Sequence, residues 1–132
     1  MKMIPLVPAF RDNRGTITDL LNDVEIRHVA VLQSVAGSVR GNHYHVQSSQ
    51  FNYVIAGKVE VVTRDPKGEA TRGFFSKGDF FLTPPHCEHA MRFLEDSEIL
   101  VLTTKPRSGG GYEEDTIRLK DPLISTDPKQ TT

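Results

Sequence analysis

The chain has 132 residues, which is enough for one domain with its own apolar core, and 37% of them are hydrophobic. Its formal net charge is −1 and it has no long basic block, so the sequence gives no electrostatic reason to expect binding to nucleic acid or to a membrane surface. The one cysteine, Cys87, excludes an internal disulfide framework and fits a reducing compartment. The N-terminus is too short and too interrupted by proline for a secretory signal, so we expect a cytoplasmic protein.

Short strand-like stretches separated by turn signals make up most of the chain. In chain order we predict strands at residues 16–20, 26–33, 38–45, 51–56, 58–63, 71–75, 80–83, 89–93 and 99–104. Gly57 and the segments 11–14, 65–68 and 77–79 are the expected turns. No long stretch shows a sustained helical period, and many short strands at regular spacing predict an all-β sandwich or barrel.

The last part of the chain differs in composition from the strand-rich part. Residues 108–111 (SGGG) predict a flexible break, and residues 127–132 are expected to be frayed. Between them, residues 115–119 are a candidate edge strand, and the acidic run 113–115 is interpreted as solvated charge. We therefore predict a barrel domain with an N-terminal arm over residues 1–107, followed by a partly flexible C-terminal extension over residues 108–132.

Four of the five histidines lie in two short groups. His43 and His45 are two positions apart, so on a strand both side chains point to one face, where two imidazoles can bind one metal ion. His86 and His89 follow a Pro-Pro pair that fixes the chain as it re-enters a strand. Alone, a His-x-His pair often only packs or forms hydrogen bonds, but two such groups beside Gly/Pro corners predict one site built from neighbouring strands.

Two spaced motifs resemble those of the cupin superfamily. The pattern Gly37-x5-His43-x-His45-x4-Gln50-x6-Gly57 resembles the first cupin motif, and Gly78-x5-Pro84-x-His86-x2-His89 resembles the second. The resemblance covers roughly residues 15–104. It implies an all-β double-stranded β-helix, the jelly-roll cupin barrel, with one divalent transition metal (Zn, Fe, Mn or Ni) at its mouth. The implied ligands are His43, His45, Gln50 and His89.

The sequence departs from the cupin pattern at three positions. Gln50 stands where the family usually carries glutamate, His86 replaces the usual glycine, and Phe93 replaces the usual asparagine. A neutral amide in place of a carboxylate should weaken retention of a divalent metal and sharpen its Lewis acidity. Gln50 is alternatively a substrate-binding residue, and His86 is an extra ligand, an acid or base of the pocket, or a solvated turn residue.

Two further segments are similar to sugar-modifying members of the superfamily. Arg40–His45 (RGNHYH) resembles the Arg-Gly-x-His-x-His segment of dTDP-sugar 3,4-ketoisomerases, and Phe10–Ile17 resembles the start of dTDP-4-dehydrorhamnose 3,5-epimerases and their relatives. This resemblance implies metal-free proton transfer beside a sugar ketone, with His43 and His45 as acid and base. A metal bound to the same imidazoles excludes that role, and of the two hypotheses we favour the metal. Arg40 is a further candidate for the site as a contact to a phosphate or carboxylate, and it is alternatively a solvated residue beside a turn.

Several functions therefore follow as hypotheses. The leading one is a metal-binding isomerase or epimerase that acts on a sugar or nucleotide sugar in polysaccharide biosynthesis. A non-catalytic carbohydrate-binding cupin, a metal-free ketoisomerase and a metal-dependent dioxygenase are the alternatives. Substrate contacts are expected from Gln50, His86 and His28, and His28 shares strand parity with Ala30 and Leu32 toward the interior, where it alternatively only packs. Exposed sheet edges predict a homodimer, and the resemblance implies that residues 1–10 form an exchanged arm.

Overall fold

The computed structural model describes residues 1–107 and 111–126, which form twelve strands and one short helix. All nine strands predicted from the sequence are present, with bounds that differ by a few residues. The elements are β1 (Lys2–Met3), β2 (Phe10–Asp12), β3 (Gly15–Ile17), β4 (His28–Ser34), β5 (Val39–His45), β6 (Gln50–Ala56), β7 (Lys58–Arg64), β8 (Ala70–Ser76), β9 (Phe80–Thr83), β10 (Glu88–Phe93), β11 (Ser97–Thr103), α1 (Gly111–Asp115) and β12 (Thr116–Arg118).

Two five-stranded antiparallel sheets form the barrel. The first has the order β1-β9-β6-β11-β4, and the second has the order β12-β5-β10-β7-β8. Neighbouring strands within each sheet are often far apart in the chain, as in a jelly roll. The prediction of an all-β double-stranded β-helix is confirmed. Within the described ranges, no helix is long and apolar enough to cross a membrane.

The apolar core lies between the sheets at one end of the barrel. Alternate residues of each strand face inward, so β7 contributes Val59 and Val61 and β10 contributes Met91 and Phe93. Each fully buried side chain of this size stabilises the fold by about 1.5–3 kcal/mol. The complete cluster is Val54, Val59, Val61, Phe75, Phe81, Met91, Phe93, Ile99 and Val101.

A bulge in β5 sets which of its side chains face the interior. Across the β5–β10 ladder His43 pairs with His89 but Gly41 pairs with Ala90, which leaves Asn42 as an extra residue. Gly41 has a φ of 92°, and a Cβ there would lie 2.8 Å from the carbonyl oxygen of His89, so only glycine fits. Because the bulge shifts strand parity by one residue, Arg40 and His43 both line the barrel interior although they are three positions apart.

The C-terminal part of the chain packs against the second sheet. The candidate edge strand at 115–119 is present as β12, which pairs with β5. Beyond it, the side chain of Ile124 is buried against Val39, Val62 and Ala90 on the outer face of that sheet. The break predicted at residues 108–111 lies mostly outside the described residues, as do residues 127–132. The division of the chain at residue 107 stays a prediction.

The N-terminal part of the chain contains two strands that the sequence analysis did not predict. β1 pairs with β9 of the same chain, through Lys2 opposite Leu82 and Met3 opposite Phe81. β2 and β3 form a separate two-stranded sheet, so segment 11–14, which was predicted to be only a turn, is partly strand.

Candidate active site

A cavity of about 630 Å³ is lined by residues of both sheets, among them those of β4 and β5. Its volume falls in the range of sites that bind small organic ligands. The lining combines histidine, arginine and glutamine side chains with the apolar side chains of Ala30, Leu32, Met91 and Val101. The cavity is therefore suited to a ligand that carries several polar groups.

Three histidines converge beside this cavity. His43 and His45 lie on β5, and His89 lies opposite His43 on β10. Their ring centroids are 4.7 to 5.4 Å apart, and one nitrogen from each ring lies within 4.8 Å of the others. Only 2 to 6% of each residue is exposed. We refer to His43, His45 and His89 as the three-histidine cluster.

The outer hydrogen bonds of the cluster orient its rings. The Nδ1 of His89 lies 3.0 Å from the carbonyl oxygen of Cys87, to which it can only donate, so its Nε2 keeps a lone pair. The Nδ1 of His45 lies 3.3 Å from Thr116 Oγ1 and 3.9 Å from a carboxylate oxygen of Asp115. Among the described residues, His43 Nδ1 and His89 Nε2 are buried without a hydrogen-bond partner. Buried nitrogens of this kind are costly unless a ligand satisfies them.

Burial keeps the cluster neutral. Desolvation, together with the positive charges that His89, His45 and Arg118 can carry, lowers the pKa of His43 to about 2. Desolvation also lowers the pKa of His89 to about 4, against the opposing hydrogen bond to Cys87. For His45, desolvation lowers the pKa while Asp115 and Gln50 raise it. The cluster therefore offers neutral imidazoles, the form that binds metals or accepts protons.

Gln50 lies at the start of β6 and lines the same cavity. Its Nε2 donates to Oδ1 of the fully buried Asn52 at 2.9 Å, and its side chain also forms a hydrogen bond with His45 that raises the pKa of that histidine against the effect of burial. Across the first sheet Gln50 pairs with Thr103, and Thr103 pairs with His28. His28 Nδ1 lies 3.4 Å from Thr103 Oγ1, and both residues line the cavity, as the strand parity of His28 predicts.

Three arginines, Arg40, Arg107 and Arg118, also line the cavity. Arg40 donates from Nε to Ser34 Oγ at 2.6 Å, which fixes its guanidinium group on the cavity wall. Among the described residues that line the cavity, Glu113 is the acidic one. The excess of basic side chains favours an anionic ligand.

Three residues at the site were not predicted from the sequence: Arg107, Asp115 and Arg118, all close to or beyond the glycine-rich break. Asp115 was interpreted as part of a solvated acidic run, but its carboxylate accepts hydrogen bonds from the backbone N–H groups of Gln47 at 2.7 Å and Ser48 at 3.1 Å. No sequence motif marks Asp115, because its hydrogen-bond partners lie about 70 positions away along the chain.

His86 occupies a different place from the other candidate residues. It has a φ of 63° and an exposed side chain, and its backbone N–H donates to the carbonyl oxygen of His45 at 2.7 Å. Its ring centroid lies 5.9 Å from that of Tyr44, and the residue is not in the cavity lining. The structure therefore brings together His28, Arg40, His43, Gln50 and His89 with His45 beside them, and leaves His86 outside.

Comparisons with known proteins place this geometry in context. A family model described as "Cupin domain" matches residues 31–105. A search of curated proteins found no match. Among solved structures, a 3,4-ketoisomerase from Helicobacter canadensis is 22% identical, with a TM-score of 0.72 and coverage of 89% of each chain.

Two further solved structures have similar folds. A dTDP-4-dehydrorhamnose 3,5-epimerase from Sulfolobus tokodaii is 19% identical, with a TM-score of 0.71 and coverage of 95% of this chain and 78% of that one. A mutant of the 3,4-ketoisomerase QdtA from Thermoanaerobacterium thermosaccharolyticum, in complex with TDP-4-keto-6-deoxyglucose, is 20% identical, with a TM-score of 0.67 and coverage of 89% and 84%. At these identities the likeness shows the shared fold.

Proposed function

The chain belongs to the cupin family, and we propose that it is an isomerase or epimerase of nucleotide sugars whose three-histidine cluster binds a divalent transition metal. The observation that carries the proposal is the position of three buried, neutral imidazoles beside a cavity lined with arginines. The similar folds of sugar-nucleotide ketoisomerases and an epimerase support the choice of reaction. A role in polysaccharide biosynthesis accords with such a substrate.

The nitrogen donors of the three-histidine cluster support the proposal of a bound metal. Neutral histidine nitrogens within 4.8 Å of one another suit Zn, Fe, Mn or Ni, and three protein ligands leave positions open for a substrate. His89 is oriented by the carbonyl group of Cys87, which is the usual arrangement behind a ligating imidazole. Gln50 Oε1 is the candidate for a fourth ligand. A bound metal would polarise the substrate carbonyl group.

The substrate class is supported by the rest of the lining. Arg40, Arg107 and Arg118 offer guanidinium groups that suit a diphosphate, which arginine can bind in a bidentate manner. Gln50 and His28 also line the cavity and offer amide and imidazole groups that can form hydrogen bonds with sugar hydroxyls. These residues would hold the sugar ketone beside the three-histidine cluster and the diphosphate near the arginines.

A second candidate is a metal-free ketoisomerase, and the position of Asp115 favours it. A carboxylate 3.9 Å from His45 Nδ1 stabilises the protonated form of the ring and opposes the lowering of its pKa by burial, as a carboxylate beside a general base does. The lowered pKa of His43 argues against that residue as the matching acid, because almost none of it is protonated at neutral pH. His45 would then accept a proton beside the ketone.

Metal analysis and turnover of TDP-4-keto-6-deoxyglucose separate these candidates. For protein purified without added metal we expect about one equivalent of a transition metal, and isomerised product detectable by NMR. His43→Ala and His89→Ala should lose both metal and turnover, while the matched control His86→Ala, outside the cavity, should keep both. Turnover with less than about 0.1 equivalent of metal would establish the second candidate instead. TDP binding without turnover of any keto sugar would indicate a carbohydrate-binding protein, and failure to bind TDP would refute both enzyme proposals.

We also propose a homodimer. Phe10 and Ile17 face each other across the β2–β3 hairpin and are 51% and 60% exposed, and an isolated hairpin is only marginally stable in water. Val29 and Val31 are likewise exposed on β4, the last strand of the first sheet. Light scattering should give twice the chain mass of 14.8 kDa, and a mass equal to one chain would refute the dimer. Exchange of residues 1–10 stays a prediction, since β1 pairs here with its own β9.

A further inference from the structure

We propose that Asn42 is a positioning residue that fastens residues 116–126, here called the C-terminal strap, to the strand of the histidine pair and thereby sets Arg118 and Thr116 against the three-histidine cluster. Asn42 itself is not in the cavity lining. The inference rests on the proposed function only for its effect on nucleotide binding.

Asn42 is the extra residue of the β5 bulge, and its φ of 57° is one that asparagine tolerates better than most residues. A residue inserted in this way is released from the β5–β10 ladder, so its polar groups are available to a different segment. The bulge therefore creates an attachment point directly before His43.

The polar groups of Asn42 bind the strap at three residues. Its side-chain Oδ1 accepts hydrogen bonds from the backbone N–H groups of Leu123 at 2.8 Å and Ile124 at 3.2 Å, and its Nδ2 donates to the carbonyl oxygen of Ile124 at 2.9 Å. Its own carbonyl oxygen accepts from the N–H group of Leu119 at 2.9 Å. One side chain thus satisfies three backbone groups of a segment that follows β12 without regular structure.

An apolar contact reinforces this attachment. Ile124 is 5% exposed and packs on Val39, Val62 and Ala90, three residues on the outer face of the second sheet. The side chain of Ile124 can reach this face because Asn42 holds the backbone of the same residue. The polar and apolar contacts together fix the end of the strap.

The beginning of the strap reaches the site. Thr116 pairs with His45 and Arg118 pairs with His43 in the β12–β5 ladder. Thr116 Oγ1 lies 3.3 Å from His45 Nδ1, and Arg118 lines the cavity. β12 is only three residues long and lies at the edge of its sheet, so an anchor beyond it is needed to keep it paired.

The test compares three variants of the full chain. Asn42→Gly tolerates the positive φ but removes the three side-chain hydrogen bonds. Asn42→Asp keeps the hydrogen-bond acceptor and loses the donor. Ile124→Glu releases the strap without changing the bulge. For Asn42→Gly we expect the N–H groups of Leu123 and Ile124 to exchange with solvent at least about ten-fold faster. The imidazole NMR resonances of His43 and His45 should shift, and the dissociation constant of TDP should rise about ten-fold.

The controls assign the effect to the strap. Ile124→Glu should reproduce the shifted histidine resonances and the weaker TDP binding, and Asn42→Asp should restore part of both. The inference is overturned if Asn42→Gly leaves the exchange rates unchanged, or frees the strap without shifting the histidine resonances. It is also overturned if Ile124→Glu frees the strap but TDP binding stays within about two-fold of the parent protein. A parent protein without affinity for TDP would refute the proposed function instead, and the histidine resonances would still decide the role of Asn42.

Discussion

The two ends of the barrel interior differ in what the same strands place inside. β10 runs from one end to the other: its inward side chains are His89 at the cavity, then Met91, then Phe93 in the apolar core. Phe93 is fully buried among apolar neighbours, whereas His89 is equally buried with an Nε2 that no described residue satisfies. Packing at one end therefore stabilises the fold strongly enough for the other end to keep unsatisfied polar groups that a ligand can bind.

Truncation of the core should have the largest effect on stability. Phe93→Ala removes a fully buried ring and leaves a cavity, so we expect a loss of about 3–5 kcal/mol in the free energy of unfolding, measured with denaturant. Phe74→Ala is the matched control, because Phe74 is 56% exposed on β8 and should change stability by less than about 1 kcal/mol. Equal losses for both variants would contradict the location of the core.

The cavity end should make metal-stripped protein sensitive to acid. His43 and His89 have their folded-state pKa values lowered to about 2 and about 4, so below about pH 6.5 the unfolded state binds more protons and folding weakens as the pH falls. Between pH 7 and pH 5 the expected loss is about 2 kcal/mol per histidine. Denaturant titrations of the parent and of the double variant His43→Gln/His89→Gln at both pH values measure it. A double variant with the same pH dependence as the parent would show that the cluster is not the cause.

The glycine of the bulge should matter more than a glycine in an open turn. Gly41→Ala combines a positive φ with a Cβ at 2.8 Å from a backbone oxygen, whereas Gly37→Ala has a φ of 87° and nothing within 4 Å. We expect losses of about 2 kcal/mol or more for Gly41→Ala and about 1 kcal/mol for Gly37→Ala. Only Gly41→Ala should also shift the imidazole resonances of His43. If the two variants behave alike in both measurements, the close approach of β5 to β10 is not a constraint.

The smallest effect is expected at His86. Because its φ is 63°, His86→Gly should relieve backbone strain and raise the free energy of unfolding by about 0.5 kcal/mol. Metal content and TDP binding should stay as in the parent protein, since the residue is not in the cavity lining. Loss of metal content or of TDP binding would show that His86 contributes to the site.

Much of the fold could be predicted because its signals are local. Alternating apolar residues and turn residues marked all nine predicted strands, and the two spaced motifs identified the jelly roll and brought forward His43, His45, Gln50 and His89 as candidates. β1 and β2 were not predicted, because these short strands are exposed and carry no alternation of buried and exposed residues. His86 entered the candidate list through its spacing, which says nothing about the left-handed backbone that points it away from the cavity.

Nine of the described strands and their inward-facing apolar residues could be predicted from the sequence, since these follow from alternation along single strands. The spacing of the two histidine groups predicted that they share one site. In contrast, the tertiary structure alone puts Arg40 and His43 on one face, through the bulge at Gly41 and Asn42. It also decided that the strap brings Arg118 to a cavity formed mostly by strands far away in the chain. Both depend on the register between distant strands, which backbone hydrogen bonds and close contacts fix only once the chain has folded.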